Sequence, residues 1–221
     1  GATAEADGEA FARAVGAEIA LAGSEHRLAL ADVDWDMVDR WIADGEARAS
    51  GARLTFFDHL PDDIADAYAA LYTETFNQQP LGALAVGAVV FPPATLRRHA
   101  ANLERLGGRH LSAVIREADG ALSGLTEVVW IPGRPTLAEQ GLTGVRDAYR
   151  GGGRGKWLKA AMLRRVRAEL PGVETVSTDN ATSNAPMRAI NAQLGFRAHK
   201  ASVNVQLTIE ALEAYLSARR G

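Results

Sequence analysis

The chain has 221 residues, 47% hydrophobic and 23% charged, with 24 Lys+Arg against 27 Asp+Glu and a formal net charge of −3. That is the composition of an ordinary globular domain, without the basic excess of a protein built to hold duplex nucleic acid. With no cysteine in the sequence, disulfides, Cys-ligated zinc and a cysteine nucleophile are excluded.

In chain order, residues 8–22 read as an Ala-rich helix broken at Gly16, and "HRLAL" (His26–Leu30) alternates as a strand. The opening "GATAEADGEA" lacks the basic and apolar regions of a secretory signal, and no apolar run approaches the ~20 residues that span a bilayer. The expected location is the cytoplasm, with no membrane partner. Asp34–Arg48 reads as an amphipathic helix with Trp35, Val38, Trp41 and Ile42 on one face. "SGAR" at 50–53 is a turn and the expected boundary between residues 1–50 and a domain over 51–221.

Arg53–Leu60 reads as a strand and Pro61 starts a helix with Ile64, Tyr68, Leu71, Tyr72 and Phe76 as its buried stripe. "NQQPLGAL" is a loop, and Pro93–Arg105 is a second, more basic helix. Strands follow at His110–Glu117 and Ala121–Pro132, joined by an Asp119-Gly120 hairpin turn, with another at Leu137–Val145. A glycine loop leads into a helix over Lys156–Leu170, which Pro171-Gly172 stops. The remaining elements are a strand at Val173–Thr178, a helix that Asn184 caps and Gly195 ends, a strand at "VNVQL" and a helix at Glu210–Arg219. From residue 51 on, the order is β-α-α-β-β-β-α-β-α-β, a mixed α/β domain. Glu9–Leu30 also echoes Arg188–Leu207 when Gly16 is aligned with Gly195: both read helix, glycine, strand.

The glycine loop "YRGGGRGKW" (Tyr149–Trp157) fails the Walker A pattern, because Arg150 holds the first glycine position and Trp157 follows Lys156. It fails the dinucleotide G-x-G-x-x-G as well, because the last position is Lys156. What remains is Arg150-x-x-Gly153-x-Gly155 after a strand and at the start of a helix. Backbone N–H groups at a helix N-terminus, with roughly half a positive charge from the helix dipole, make an anion cradle there. Arg150, Arg154 and Lys156 would add cationic donors. The bland alternative is a slack turn ahead of a solvated basic helix.

"TDNATSNAPMRAINAQLGF" follows after one helix and one strand. With the R-x-x-G-x-G loop it resembles the GNAT superfamily of acyl-CoA-dependent N-acyltransferases. Arg150, Gly153 and Gly155 match the superfamily's (Q/R)-x-x-G-x-(G/A) motif, and Asn184 with Gly195-Phe196 matches its second motif. The two motifs cover residues 139–196. "RGKWLKAAML" together with the second motif is similar to the C-terminal domain of tandem GNAT proteins, and residues 1–50 would then be the tail of a preceding GNAT-like domain.

The resemblance implies a central, mostly antiparallel sheet splayed between the fourth and fifth strands of the domain, with helices on both faces. It implies acetyl-CoA or another acyl-CoA as co-substrate and a small-molecule amine as acceptor. Gly151, Gly152, Gly153, Arg154, Gly155 and Lys156 would hold the pyrophosphate, the Leu142, Thr143, Gly144 and Val145 backbone the pantetheine arm, and Asn184 the far side of the cofactor. Glu139 matches a base position used in some members, and Glu127 is the alternative base. Many members carry a tyrosine general acid four residues before the Gly-Phe, where this chain has Asn191. Asparagine cannot give up a proton as an acid, although it could hydrogen-bond the thiolate or the cofactor. A non-catalytic acyl-CoA-binding or assembly domain therefore stands beside the enzyme reading, as does an acyltransferase for protein N-termini or lysines. The remnant of residues 1–50 would pack on the catalytic domain's sheet edge or on another chain, and the expected partners are a second copy of the chain or the missing first domain. The five histidines lack metal-ligand spacing, so no metal is expected.

Overall fold

The computed structural model describes residues 7–219; the first six residues of the segment read above for a signal lie outside them. α1 (Asp7–Ala14) ends at Gly16, whose φ of +85 favours glycine. β1 (Glu18–Ala29) and α2 (Trp35–Arg48) follow, the latter capped by the Asp34 carboxylate accepting from Met37 N–H at 2.9 Å. Then come β2 (Arg53–Phe57), α3 (Ala65–Asn77), α4 (Pro93–Arg105), β3 (Arg109–Arg116), β4 (Leu122–Trp130) and β5 (Leu137–Val145). The chain closes with α5 (Arg154–Glu169), β6 (Thr175–Ala181), α6 (Ala185–Leu194), β7 (Arg197–Gln206) and α7 (Ile209–Ala218).

All seven strands form one sheet in the order β2-β3-β4-β5-β6-β1-β7. Every adjacent pair is antiparallel except β5 and β6. Alternation along β3 sends Leu111 and Ala113 to one face, against Met162, Leu163 and Val166 of α5, with Val38 and Trp41 of α2 beyond. Val114 points the other way, to Ile64, Tyr68 and Leu71 on and just before α3. The layers are therefore helix, sheet, helix, as a mixed sheet with two apolar faces requires.

The main departure from the sequence reading lies at the N-terminus. The Ala-rich stretch is not helical to residue 22. It turns at Gly16 and runs as a twelve-residue strand, more than twice as long as "HRLAL" indicated. β6 and β7 leave a gap that only an extended segment can fill, and pairing along both edges outweighs the helical preference of alanine. β1 is thus an interior strand, where docking on the sheet edge was expected. The repeat in the sequence is also a repeat in space: α1–Gly16–β1 and α6–Gly195–β7 each turn through a left-handed glycine, and their strands pair antiparallel.

Candidate active site

The loop before α5 reverses direction through Gly151 (φ +81) and Gly153 (φ +83), a region that side chains with a Cβ avoid. Gly153 is the residue before the helix, its carbonyl accepts from Trp157 N–H, and no side chain caps the N-terminus. The first-turn amides of α5 are thus left for an external acceptor. They face a cavity of about 610 Å³ whose other walls are Thr143, Gly144 and Val145 of β5, Gln78–Pro80, and Asn184, Pro186 and Met187 at the start of α6.

The predicted cations play unequal parts around it. Arg150 reaches across the cavity mouth, donating to Gln78 Oε1 at 2.6 Å and the Val145 carbonyl at 3.0 Å, and pairs with Asp147. Arg154 is turned inward and makes a bidentate pair with Glu117 (2.7 and 2.8 Å), which holds the carboxyl below its ordinary range. It anchors the loop and has little capacity left for a phosphate. Lys156 bonds Gln193 at 2.8 Å and lies over the Trp41 ring. Arg48 of α2 also lines the cavity; the sequence reading missed it, because only the fold brings α2 beside the loop. Gly152 and Asn191 line neither this cavity nor the next.

β5 carries the second feature. Thr126 faces Thr143 and Val128 faces Gln140, so Glu127 has two residues opposite it, Gly141 and Leu142. This β-bulge turns Leu142 N–H toward Glu127 Oε1 (3.3 Å). On its other edge, the ladder from β5 to β6 ends at Gln140–Thr178, and Gly141–Val145 have no partner in β6. A second cavity of about 520 Å³ opens here, lined by Glu127, Glu139, Gln140 and Lys159, Ser177–Asn180 of β6, and His99 and Leu103 of α4. Thr143, Asn184, Met187 and Gln79 line both cavities, so the two adjoin.

The two candidate carboxylates sit in different surroundings. Glu127 is buried and accepts from Tyr72 Oη (2.9 Å) and Leu142 N–H on one oxygen, with His110 Nε2 at 2.9 Å on the other. Burial pushes its carboxyl up, but the hydrogen bonds and charge of this cluster outweigh burial and hold it below the ordinary range. Glu139 is half exposed and paired with Arg134 at 2.5 Å. Asn184 caps α6 by accepting from Met187 N–H at 3.3 Å, from a position on both cavities. Asn191 is buried, donates to Asn180 Oδ1 at 2.6 Å, and its own Oδ1 has no protein partner.

Lys159 was not anticipated. It is 1% exposed, its Nζ donates to Gln140 Oε1 at 2.9 Å, and burial alone lowers its pKa to about 7. The signal was available: Lys159 stands in register with Met162, Leu163 and Val166, the i, i+3, i+4, i+7 stripe of a core-facing helix. Among the described residues no group of His, Cys, Asp or Glu could hold a metal ion, and no helix is long and apolar enough to cross a membrane. A further cavity of about 800 Å³ lies between α2, α5 and β2, away from both carboxylates.

Comparison with solved structures places this arrangement. A tandem GNAT protein from the clavulanic acid biosynthesis pathway, solved without AcCoA, matches with 30% identity and a TM-score of 0.71, over 92% of this chain and 58% of its own. The chain has a GNAT-like fold. It resembles the domains of tandem GNAT proteins and spans less than two thirds of that tandem structure. A GCN5-related N-acetyltransferase from Sphaerobacter thermophilus (14% identity, TM-score 0.57, 88% of this chain and 53% of that one) shares the GNAT fold. So does one from Kribbella flavida (14% identity, TM-score 0.53, 90% and 63%). No family model and no curated protein matches the sequence.

Proposed function

We propose that this chain is an acyl-CoA-dependent N-acyltransferase that moves an acetyl group to a primary amine of a small molecule in a ternary complex. The observation that carries the reading is the meeting of two cavities where the β5–β6 ladder ends. One is walled by uncapped helix amides and Arg150, which suit a pyrophosphate. The other is walled by Glu127, Glu139 and Asp179, which suit an amine. In this reading Gly151, Gly153, Gly155 and Lys156 hold the pyrophosphate, and the unpaired edge of Thr143–Val145 holds the pantetheine arm as a sheet edge holds an added strand. Arg154 supports the loop through Glu117.

Glu127 is the favoured proton acceptor. A carboxylate has about four acceptor positions; three of those of Glu127 are occupied, which leaves one for the amine or a water. Glu139, already paired in solvent, serves to attract the cationic acceptor. We further propose that residues 1–50 descend from a preceding GNAT-like domain, on the ground that α1–Gly16–β1 repeats α6–Gly195–β7. The partner this implies is a first domain of the same kind.

Thermal unfolding with acetyl-CoA tests the cradle. At 100 times its dissociation constant the ligand adds about 2.7 kcal/mol, an upward shift of roughly 5–10 °C for a chain of this size. Gly153→Val is expected to remove that shift, since valine resists positive φ. No shift at millimolar acetyl-CoA would rule the reading out. A second reading, acyl-CoA binding without turnover, is favoured by Asn191, which stands where a tyrosine acid would and faces inward to Asn180. Release of CoA on adding amines separates the two.

A further inference from the structure

Lys159 is the charged side chain of α5 that is fully buried; its neighbours Leu158, Ala160, Met162 and Leu163 are all buried apolar groups. An ammonium carries three donors. Here one goes to Gln140, the Phe196 ring lies 5.2 Å from Nζ, and among the described residues no carboxylate pairs with it. The acids lining the same cavity stand apart from it. Glu127 is held by His110 and Tyr72, Glu139 by Arg134, and Asp179 lies on β6 opposite Glu25 of β1. A buried cation without a counter-ion weakens the fold, and leucine or methionine would serve packing better. The position therefore calls for a chemical reason.

Its place supplies one. Gln140 is the last residue of β5 paired to β6, so Nζ sits at the apex of the fork, on the wall of the cavity that adjoins the cofactor channel. Acyl transfer at that fork leaves a thiolate, and Asn191 has no proton to give it. We propose that Lys159 is the proton donor to the departing thiolate, an inference that rests on the acyl-transfer reading above. The acceptor nitrogen's lone pair forms the C–N bond, and the C–S bond breaks with its electron pair on sulfur. The Lys159 ammonium passes a proton to sulfur, giving the free thiol. The proton shed by nitrogen goes to Glu127 or water, and neutral Lys159 recovers its own from water. Burial lowers the lysine to about 7, below the ~8.5 of a free thiol, so the proton moves downhill to sulfur. An ordinary lysine would keep it.

The chain has three lysines, so protein labelled at the lysine ε-carbon gives three resolvable NMR titrations. Lys159 is followed free, with CoA, and with desulfo-CoA, which lacks only the sulfur. Above its midpoint near 7, where the neutral amine accepts from the bound thiol, CoA is expected to displace the Lys159 ε-carbon resonance, while desulfo-CoA leaves it at its free position and Lys156 and Lys200 respond alike to both. Identical Lys159 titrations with the two ligands would overturn the assignment while leaving the cofactor site intact. Failure of either ligand to perturb the loop amides would overturn the acyl-CoA reading and this proposal with it.

Discussion

Glu127 and Glu139 face the same cavity, yet only one of them is preorganised. Glu127 is fixed by Tyr72, His110 and the bulge amide of Leu142, whereas Glu139 shares itself with Arg134 in solvent. Glu127→Gln is expected to lower kcat by about 10²–10⁴, and Glu139→Gln to change mainly KM. Steady-state rates on any accepted amine separate these outcomes, and equal losses in kcat would count against the assignment. Glu127 also sets a stability trend. Its folded pKa lies below the unfolded value, so its contribution is present above about pH 4.5 and is lost as pH falls through the folded pKa. Lys159 acts in the opposite sense. Its pKa falls from 10.5 to about 7, so the unfolded chain binds more protons between those values and stability rises with pH across that window. Lys159→Met is expected to gain stability over the parent below pH 7, as read by denaturant titration at pH 6 and pH 9. Both carboxylates were legible in the sequence, since acids on strands beside the glycine loop are few. Their ranking was not, because it depends on Tyr72, far away along the chain, and on which side chains of the β3–β4 hairpin meet.

Helix α5 owes its placement to α2. A Cβ at Gly45 would stand 2.4 Å from Trp157 Cγ, so the two helices meet with no room for a side chain. Trp157, 2% exposed in the first turn of α5, packs in one cluster with Ala49, Ile115 and Ala161. Gly45→Val is expected to destabilise the protein by about 1–3 kcal/mol through overpacking and to weaken acetyl-CoA binding by tilting α5. Calorimetry with and without ligand measures both. The regular parts of this level were readable: α4 and β5 have the ends their patterns indicate, and Asn184 and Gly195 bound α6 as a cap and a stop should. The first part of β1, ahead of His26, was not, because its alanines carry no strand signal and the deciding influence is the pair of free edges offered by β6 and β7, more than a hundred residues downstream.

At the scale of the whole molecule, the sheet joins both ends of the described chain, and a boundary at residue 50 passes between β1 and the strands it holds together. Residues 51–221 produced alone are expected to lack a cooperative thermal transition, because β6 and β7 lose the strand between them. A sharp melt matching the parent would show that the first fifty residues are dispensable for folding.

The position of β1 also has a consequence in time. Glu25 pairs with Asp179, Ser24 with Asn180, and Glu18 with Gln206, so β1 leaves the ribosome well over a hundred residues ahead of the strands it pairs with. At about 5–20 residues per second, β1 waits roughly 10–40 s before both neighbours exist. Asp179 and Asn180 form a wall of the acceptor cavity. Their register is thus fixed by a strand made long before them, and a nascent chain cannot assemble its reaction chamber until translation has passed β7.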